Sequence, residues 1–508
     1  MHRGGLISDR SWGKRERLLC KMCRNRDKRY YLPWWKILTF FFMLLLWHKS
    51  IEKSTAERRI KFKKLLKREN NCDILWYIQR FQSRKETLFM IQKPRGTMDI
   101  LPEDVATWQY IENTARRVAK TFGVSEIRFP TFESTELFQR GVGGTTDVVQ
   151  KEMYTFTDRE NRSFTLRPEG TACVVRSLIE NGKCSDTMPI KLFYLINCFR
   201  YEKPQAGRSR EFYQFGTEMF GSASPLTDAT LISLGHTLLS ELGIKNTSLH
   251  INSIGCPSCR PAYRDALKKY FADRKDELCE TCLSRLETNP MRILDCKSPI
   301  CSGIAKDAPK TVDHLCPDCQ NHFDSLKRYL DAEGIPYTVN PSIVRGLDYY
   351  TRTVFEFIAE GIGAQSTICG GGRYDGLVSE LGGPKLPACG FAMGITRLIL
   401  AMEASGVVIP KADGPLLYIA PLGEAARAKA LSIVTALRRK GIAAECDIVE
   451  RSLKAQMKYA DKISAKFTLM LGDNEIEVGK ANIKNMQDSS QTEIALDSLD
   501  AFLADYIG

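Results

Sequence analysis

Arg200, Glu202, Phe212, Gln214 and Glu218 fall on two β-rich runs, 191–200 and 211–221, separated by a Pro/Gly/Arg loop at 203–210. That pattern predicts an antiparallel hairpin with a long tip. Side chains alternate faces with period two along a strand. Arg200 and Glu202 therefore share a face, and on the return strand Phe212, Gln214, Gly216 and Glu218 share one. Unpaired buried charge is expensive, so such a face is either a polar binding floor or a solvated sheet face carrying surface ion pairs.

Other segments carry related chemistry. Pro168-Glu169-Gly170-Thr171 sets an acid and a hydroxyl at a tight turn, suited to an ammonium group. Arg345-Gly346-Leu347-Asp348-Tyr349-Tyr350 enters a strand with an arginine, an acid and two phenols. Gly370-Gly371-Gly372-Arg373-Tyr374-Asp375-Gly376 lets backbone approach a ligand closely beside an arginine. Gly394 and Arg397, three apart, are expected on one side of a helix. Each alone is as readily structural. Arginines and glycines together point to a polyphosphate site, because a guanidinium offers fixed planar donors to phosphate oxygens. The chain has no GxxxxGK[ST] loop, and the turn at Gly141-Val142-Gly143-Gly144 lacks the lysine. No GxGxxG follows a first strand either.

Eight of the 17 cysteines lie between Cys256 and Cys319. They form four spaced pairs: Cys256 with Cys259, Cys279 with Cys282, Cys296 with Cys301, and Cys316 with Cys319. Eight thiols suffice for two four-thiolate structural zinc sites, and the first and last pairs resemble zinc knuckles. The alternative is reduced, unbound thiols packing a small helical insertion. His314 and His322 flank the last pair and are available as substitute ligands.

The elements that must position these residues form an α+β pattern over 90–405. Val105, Trp108, Ile111, Ala115, Val118 and Phe122 give helical spacing over 104–122, a strand follows at 125–130, and helical spacing returns at 226–242. Strands are expected at 337–340 and 351–358. The three glycines at 370–372 should precede a helix, and 391–403 should form another. A linker is expected at 407–415, with Pro410, Gly414 and Pro415. Beyond it, apolar runs at 416–420, 443–448 and 467–471 alternate with helical stretches at 424–440 and 453–463, predicting a small α/β domain with a largely parallel sheet.

At 508 residues, 43% hydrophobic and 26% charged, the chain is neither disordered nor fibrous. Its net charge of +13 suggests a nucleic-acid or membrane binder, but the excess is local: residues 1–89 hold 23 Lys and Arg against 8 Asp and Glu. The remaining residues are slightly acidic. The apolar run Ile37 to Trp47 is short of the roughly 20 residues a spanning helix needs. Acids such as Asp9, Glu16, Asp27 and Glu52 argue against a transit peptide. The text changes character at Met90, which is expected to be the native start, with residues 1–89 a basic extension outside the working enzyme. Without a secretory signal, the cysteines imply a reducing compartment, hence the cytoplasm.

From Met90 to Gly508 the chain resembles bacterial histidyl-tRNA synthetases, which are class II aminoacyl-tRNA synthetases. Arg128 to Glu133, with Pro130, resembles class II motif 1; Phe199 to Glu218 resembles motif 2; Gly390 to Arg397 resembles motif 3. Arg345 to Tyr350 and Gly370 to Gly376 resemble the two histidine-specific signatures. The resemblance implies an antiparallel-sheet catalytic domain at 90–410 with a Cys-rich insertion at about 253–335. A small α/β anticodon-binding domain is implied at 413–508. It implies a homodimer, with no membrane attachment, that activates L-histidine with ATP and Mg²⁺ and transfers it to tRNA(His).

Phe212 would lie against adenine, Glu202 at the adenine end, Arg208 at the phosphates, Arg200 on the α-phosphate and Arg397 on the γ-phosphate side. Glu169, Gly170 and Thr171 would hold the histidine ammonium end, with Gln214 and Glu218 nearby and Tyr349 and Tyr350 around the imidazole. Arg345 would neutralise charge on the α-phosphate, and Gln205 and Arg208 would meet the tRNA acceptor end. Gly144 and Thr396 stand where the family usually has acids. Two non-catalytic readings compete. A regulatory subunit of ATP phosphoribosyltransferase would lack the C-terminal domain, and a tRNA-sensing module would not need intact Arg200, Arg345 and Arg397.

Overall fold

A computed structural model describes residues 91–506 except 145, 295, 297, 344, 364, 365 and 410–413. The expectations for residues 1–89, and part of the linker, lie outside the described residues. From Lys93 onward the chain forms one unit.

Helix α1 (Pro102–Thr121) starts with proline in its first turn, where a missing N–H costs nothing, and carries Glu103 and Asp104 at its positive end and Lys120 at the other. Its face of Trp108, Ile111, Ala115 and Val118 is buried. Strand β1 (Ser125–Glu126) leads into β2 (Phe132–Ser134) and α2 (Thr135–Val142); then come β3 (Tyr154–Thr157), β4 (Ser163–Leu166) and α3 (Thr171–Glu180). The expected strand at 125–130 is thus only two residues long.

The hairpin is as expected. Strands β5 (Ile190–Phe199) and β6 (Glu211–Phe220) pair without a break from Ile190 opposite Phe220 to Phe199 opposite Glu211. After α4 (Pro225–Glu241) and β7 (Thr247–Ser253) comes the insertion, with α5 (Arg260–Ala272), α6 (Glu280–Thr288), α7 (Pro299–Ala305) and α8 (Pro317–Glu333). The chain returns through β8 (Tyr337–Val339), β9 (Thr351–Ala359), β10 (Thr367–Arg373), α9 (Leu377–Glu380), β11 (Ala388–Gly394) and α10 (Ile395–Ala404).

These strands build one eight-stranded sheet, ordered β1-β5-β6-β11-β10-β9-β7-β8, antiparallel except for its outermost pairs. Strands β2, β4 and β3 form a separate antiparallel sheet. One face of the large sheet packs Phe193, Phe215 and Phe391 against α1, α4 and α10. The other collects Tyr194, Ile196, Tyr349, Tyr350 and Tyr374. The insertion leaves β7 and returns to β8, its parallel neighbour, and has a small core of its own around Tyr263, Leu267 and Phe271.

One expectation holds and one fails here. Gly370 to Gly372 do precede a helix, α9, though they themselves lie inside β10; Phe391 to Gly394 belong to β11, so the helix expected from Phe391 starts only at Ile395. Both segments are central strands whose small residues face buried groups; glycine disguises a strand because it supplies no alternating side chain to read.

The C-terminal part has β12 (Leu417–Pro421), α11 (Glu424–Arg439), β13 (Ala444–Cys446), α12 (Leu453–Lys462) and β14 (Phe467–Leu471). It continues with α13 (Asp473–Val478), β15 (Lys480–Asn485), β16 (Gln491–Ala495) and α14 (Leu499–Ala504). Strands β13, β12 and β14 are parallel as expected, while β15 and β16 extend the sheet antiparallel, which the sequence reading missed. Among the described residues no helix is long and apolar enough to cross a membrane.

Candidate active site

The floor of the site is the Phe212, Gln214, Gly216 and Glu218 side of β6. Opposite Gly216 lies Tyr194 of β5. A Cβ at Gly216 would fall 2.2 Å from the Tyr194 ring, and one at Gly170 would fall 2.5 Å from it. Two glycines thus let a buried phenol reach Glu218, whose Oε1 accepts from the Tyr194 hydroxyl at 3.1 Å and the Thr171 hydroxyl at 2.7 Å. The Tyr374 hydroxyl donates to the other oxygen. Burial pushes the Glu218 carboxyl up to about 8, against the pull of the donating hydroxyls, and nearby Glu169 adds to the rise.

Glu169 accepts the backbone N–H groups of Thr171 (2.8 Å) and Ala172 (2.9 Å) at the start of α3. It too is raised, chiefly by burial. Tyr349 and Tyr350 pack with ring centroids 4.7 Å apart, and Tyr349 lies 5.4 Å from Tyr374. The structure therefore gathers Glu169, Gly170, Thr171, Glu218, Tyr349 and Tyr350 into one buried acidic and aromatic cluster. Gln214 lies two same-face positions along β6 from Glu218, its Oε1 accepting from the Cys198 thiol at 3.5 Å.

The cationic end is equally defined. Arg200 donates from Nε to the Pro168 carbonyl at 2.9 Å, and its guanidinium sits 5.4 Å from the Phe212 ring centre. Arg397 holds the hairpin tip through the Gly207 carbonyl (3.1 Å) and reaches the Thr367 carbonyl (2.6 Å). Burial and the neighbouring cations Arg208 and Arg200 lower its proton affinity. That is the environment of cations gathered for an anion. Arg208 pairs with Glu202 at 2.8 Å, and the tip closes in a bridge between Gln205 and Arg208, with Gln205 exposed. Arg345 is paired with Glu356, whose second oxygen accepts from Thr367 Oγ1 at 3.0 Å.

Two arginines in the glycine-bearing segments do not join this group. Arg373 is fully buried and bound to Asp228, to Asp375 and to the carbonyls of Ser222 and Ser224. Arg167 is buried against the carbonyls of Phe129, Pro130 and Asn197. Both fasten the framework, because every guanidinium edge is already taken by fixed acceptors. Sequence reasoning passed over Tyr194 and Glu356. A lone acid in the apolar strand β9 was the available signal for Glu356; Tyr194 had none, since its partner lies 24 residues away.

The cysteines assemble into two groups. Cys256, Cys259, Cys316 and Cys319 form one; Cys279, Cys282, Cys296 and Cys301 form the other. The sulfur separations are 3.7 Å for Cys256–Cys259 and 3.9 Å for both Cys256–Cys316 and Cys279–Cys296. A regular tetrahedron with Zn–S bonds of about 2.3 Å has edges of about 3.8 Å, whereas a disulfide is about 2.05 Å. Backbone N–H groups of Cys316 and Cys279 point at Cys259 Sγ (3.1 Å) and Cys301 Sγ (3.3 Å). The two histidines are otherwise engaged: His322 bonds Asp228 at 2.8 Å, and His314 packs on Tyr263.

An antiparallel sheet whose hairpin face carries arginines at one end and an acidic cluster at the other is the architecture of class II aminoacyl-tRNA synthetases. Residues 96–398 match the family model for histidyl-tRNA synthetase, and residues 417–506 match that for an anticodon-binding domain. The chain is 52% identical over 411 residues to the histidine–tRNA ligase of Caldanaerobacter subterraneus, covering 81% of this chain and 99% of the relative. It is 54% identical over 410 residues to that of Acetivibrio thermocellus, covering 81% and 98%. The crystal structure of apo S. aureus histidyl-tRNA synthetase superposes with a TM-score of 0.71 at 41% identity, over 82% of this chain and 100% of that one. The chain belongs to the histidyl-tRNA synthetase family.

Proposed function

We propose that the chain is a histidine–tRNA ligase working in two steps. The carboxylate oxygen of L-histidine attacks the α-phosphorus of ATP, taken as its magnesium complex. A phosphorus–oxygen bond forms and the bond to pyrophosphate breaks. A hydroxyl of the terminal ribose of tRNA(His) then attacks the histidyl carbonyl, and AMP leaves. The observation that carries this reading is the polarity of one sheet face: acids and phenols at Glu218, cations at Arg200, Arg345 and Arg397.

In this reading Glu169, Thr171 and Glu218 hold the ammonium, Gln214 stands beside it, and Tyr349 and Tyr350 enclose the imidazole. Phe212 and Glu202 take the adenine end. Arg200 and Arg345 neutralise the α-phosphate as charge shifts, and Arg208 and Arg397 meet the outer phosphates; positioning and fixed positive charge do most of such catalysis. Gln205 and Arg208 at the exposed tip are suited to the tRNA acceptor end. The domains are 90–410, with the insertion at 253–335, and 413–508; the enzyme works as a cytoplasmic homodimer.

The two cysteine groups are proposed as four-thiolate structural zinc sites, on the strength of their tetrahedral spacing. Histidine-dependent exchange of pyrophosphate into ATP tests the activity, and absence of exchange would overturn it. Elemental analysis tests the metal, and less than stoichiometric zinc would end that part.

A further inference from the structure

The loop Arg345 to Tyr350 carries three of the proposed substrate-binding side chains, and two arginines of the insertion bind its backbone and Asp348. Arg292 donates to the Gly346 carbonyl at 2.9 Å and to Asp348 Oδ1 at 2.8 Å. Arg260 donates to the Tyr350 carbonyl. Outside the insertion, Asp348 N–H bonds the Val142 carbonyl at the end of α2 at 3.2 Å, Arg345 pairs with Glu356 of β9, and the Tyr349 and Tyr350 rings pack on Tyr374.

Each of the two arginines is tied to one cysteine group. Arg260 follows Cys259 directly, and its N–H bonds the Cys256 carbonyl at 3.2 Å, within the turn that brings those two sulfurs together. Gly255 enters that turn at φ +67°, where a Cβ would lie 2.7 Å from that of Cys259, so the turn has little freedom. Arg292 sits in the short turn Pro290–Ile293, whose last carbonyl accepts the Cys296 N–H at 3.1 Å. The Arg292 carbonyl accepts from Arg285, three residues beyond Cys282. The insertion's own core is small, around nine buried side chains, two of them cysteines of the second group. A core of that size folds weakly without a metal or other crosslink.

We infer that the two thiolate sites act as struts for the histidine-binding loop: one metal fixes Arg260, the other fixes Arg292, and the arginines together set the position of Arg345, Tyr349 and Tyr350. Arg260 and Arg292 are positioning residues. The inference rests on the zinc reading above and assigns it a consequence: metal loading governs affinity for the amino acid and, through Arg345, the rate of attack on the α-phosphate, while the KM for ATP changes little because Arg200, Phe212 and Arg397 stand on β6, α10 and the hairpin, outside the insertion.

The test uses the full-length holoenzyme and pyrophosphate exchange. In R260A and R292A the KM for histidine should rise about tenfold or more, as expected for a misplaced substrate-binding loop, while the KM for ATP, the zinc content and the melting temperature stay near those of the native enzyme. R292K, which keeps one donor, should recover part of the loss. Stripping zinc from the native enzyme with a chelator should raise the histidine KM in the same way, and re-adding zinc should restore it. In the R260A/R292A enzyme the same treatment should add little. Zinc-loaded arginine variants with native histidine KM would overturn the strut. A native enzyme that exchanges pyrophosphate but contains no zinc would overturn the metal reading, and one with no exchange would overturn the proposed activity.

Discussion

The guanidinium of Arg345 lies on the backbone of Gly370: a Cβ at position 370 would fall 2.4 Å from Nη2 and 2.6 Å from Nη1. The first glycine of the triplet in β10 is therefore a seat for an arginine borne by a different segment. What would collide is the far end of a long side chain, so the chain can relieve an added methyl by moving Arg345 away, at the cost of its pair with Glu356. Gly370→Ala should still fold, with a moderate loss of stability from the disturbed Arg345–Glu356 pair, and lose pyrophosphate exchange by on the order of 10²-fold, the usual cost of removing a fixed charge from a developing anion. Circular dichroism with exchange kinetics checks it. Equal loss of stability and activity would mean that the backbone, and not the arginine, needs the glycine.

Glu218 leads to a pH prediction. Its ordinary value is 4.5 and its folded value about 8. Between those limits the unfolded chain has released the proton and the folded chain keeps it, so stability is full below 4.5 and falls as pH rises toward about 8. Glu218→Gln, neutral at every pH, should flatten this part of the urea-midpoint profile while weakening histidine binding. Parallel profiles for the two proteins would remove Glu218 as the source.

Much of the site was legible because its residues lie in short runs on neighbouring strands. Period-two alternation places Phe212, Gln214 and Glu218 together, and the resemblance of Arg345 to Tyr350 and Gly370 to Gly376 to family signatures supplied the rest. What could not be read is what depends on tertiary partners. Arg373 and Arg397 both follow glycines, yet one is sealed on Asp228 and the other stands among cations. The four cysteine pairs were visible, but not that the outer two pairs join each other and enclose the inner two. That choice is made by the fold of the insertion.

The sealed ion pair makes its own prediction. Arg373 and Asp228 are both fully buried, with His322 as a third member. Replacing Asp228 by Ala removes the closest carboxylate from a buried guanidinium and a buried imidazole; removing one partner of a buried pair costs about 3–5 kcal/mol, and Asp375 with the Ser222 and Ser224 carbonyls keeps Arg373 at the lower end of that range. Denaturant unfolding of Asp228→Ala should show a loss of that size, and the apolar double change Asp228→Leu with Arg373→Met should be less destabilised than either single change. Because neither residue faces the substrate pocket, the remaining folded fraction should keep the native KM for histidine.

The nesting of the cysteine pairs also separates the two proposed metal sites. Cys301 belongs to the inner group alone, and its sulfur is buried and accepts the Cys279 N–H at 3.3 Å. Serine is close in size but is a poor zinc ligand, so Cys301→Ser should leave the outer group of Cys256, Cys259, Cys316 and Cys319 able to load. Zinc content should then fall from two per chain to one, and hydrogen exchange should quicken in α6 and α7 while α8, anchored by Cys316 and Cys319, keeps its protection. A content of zero would mean that the two sites load as a single cooperative unit. A content unchanged at two would mean that Cys301 is not a ligand.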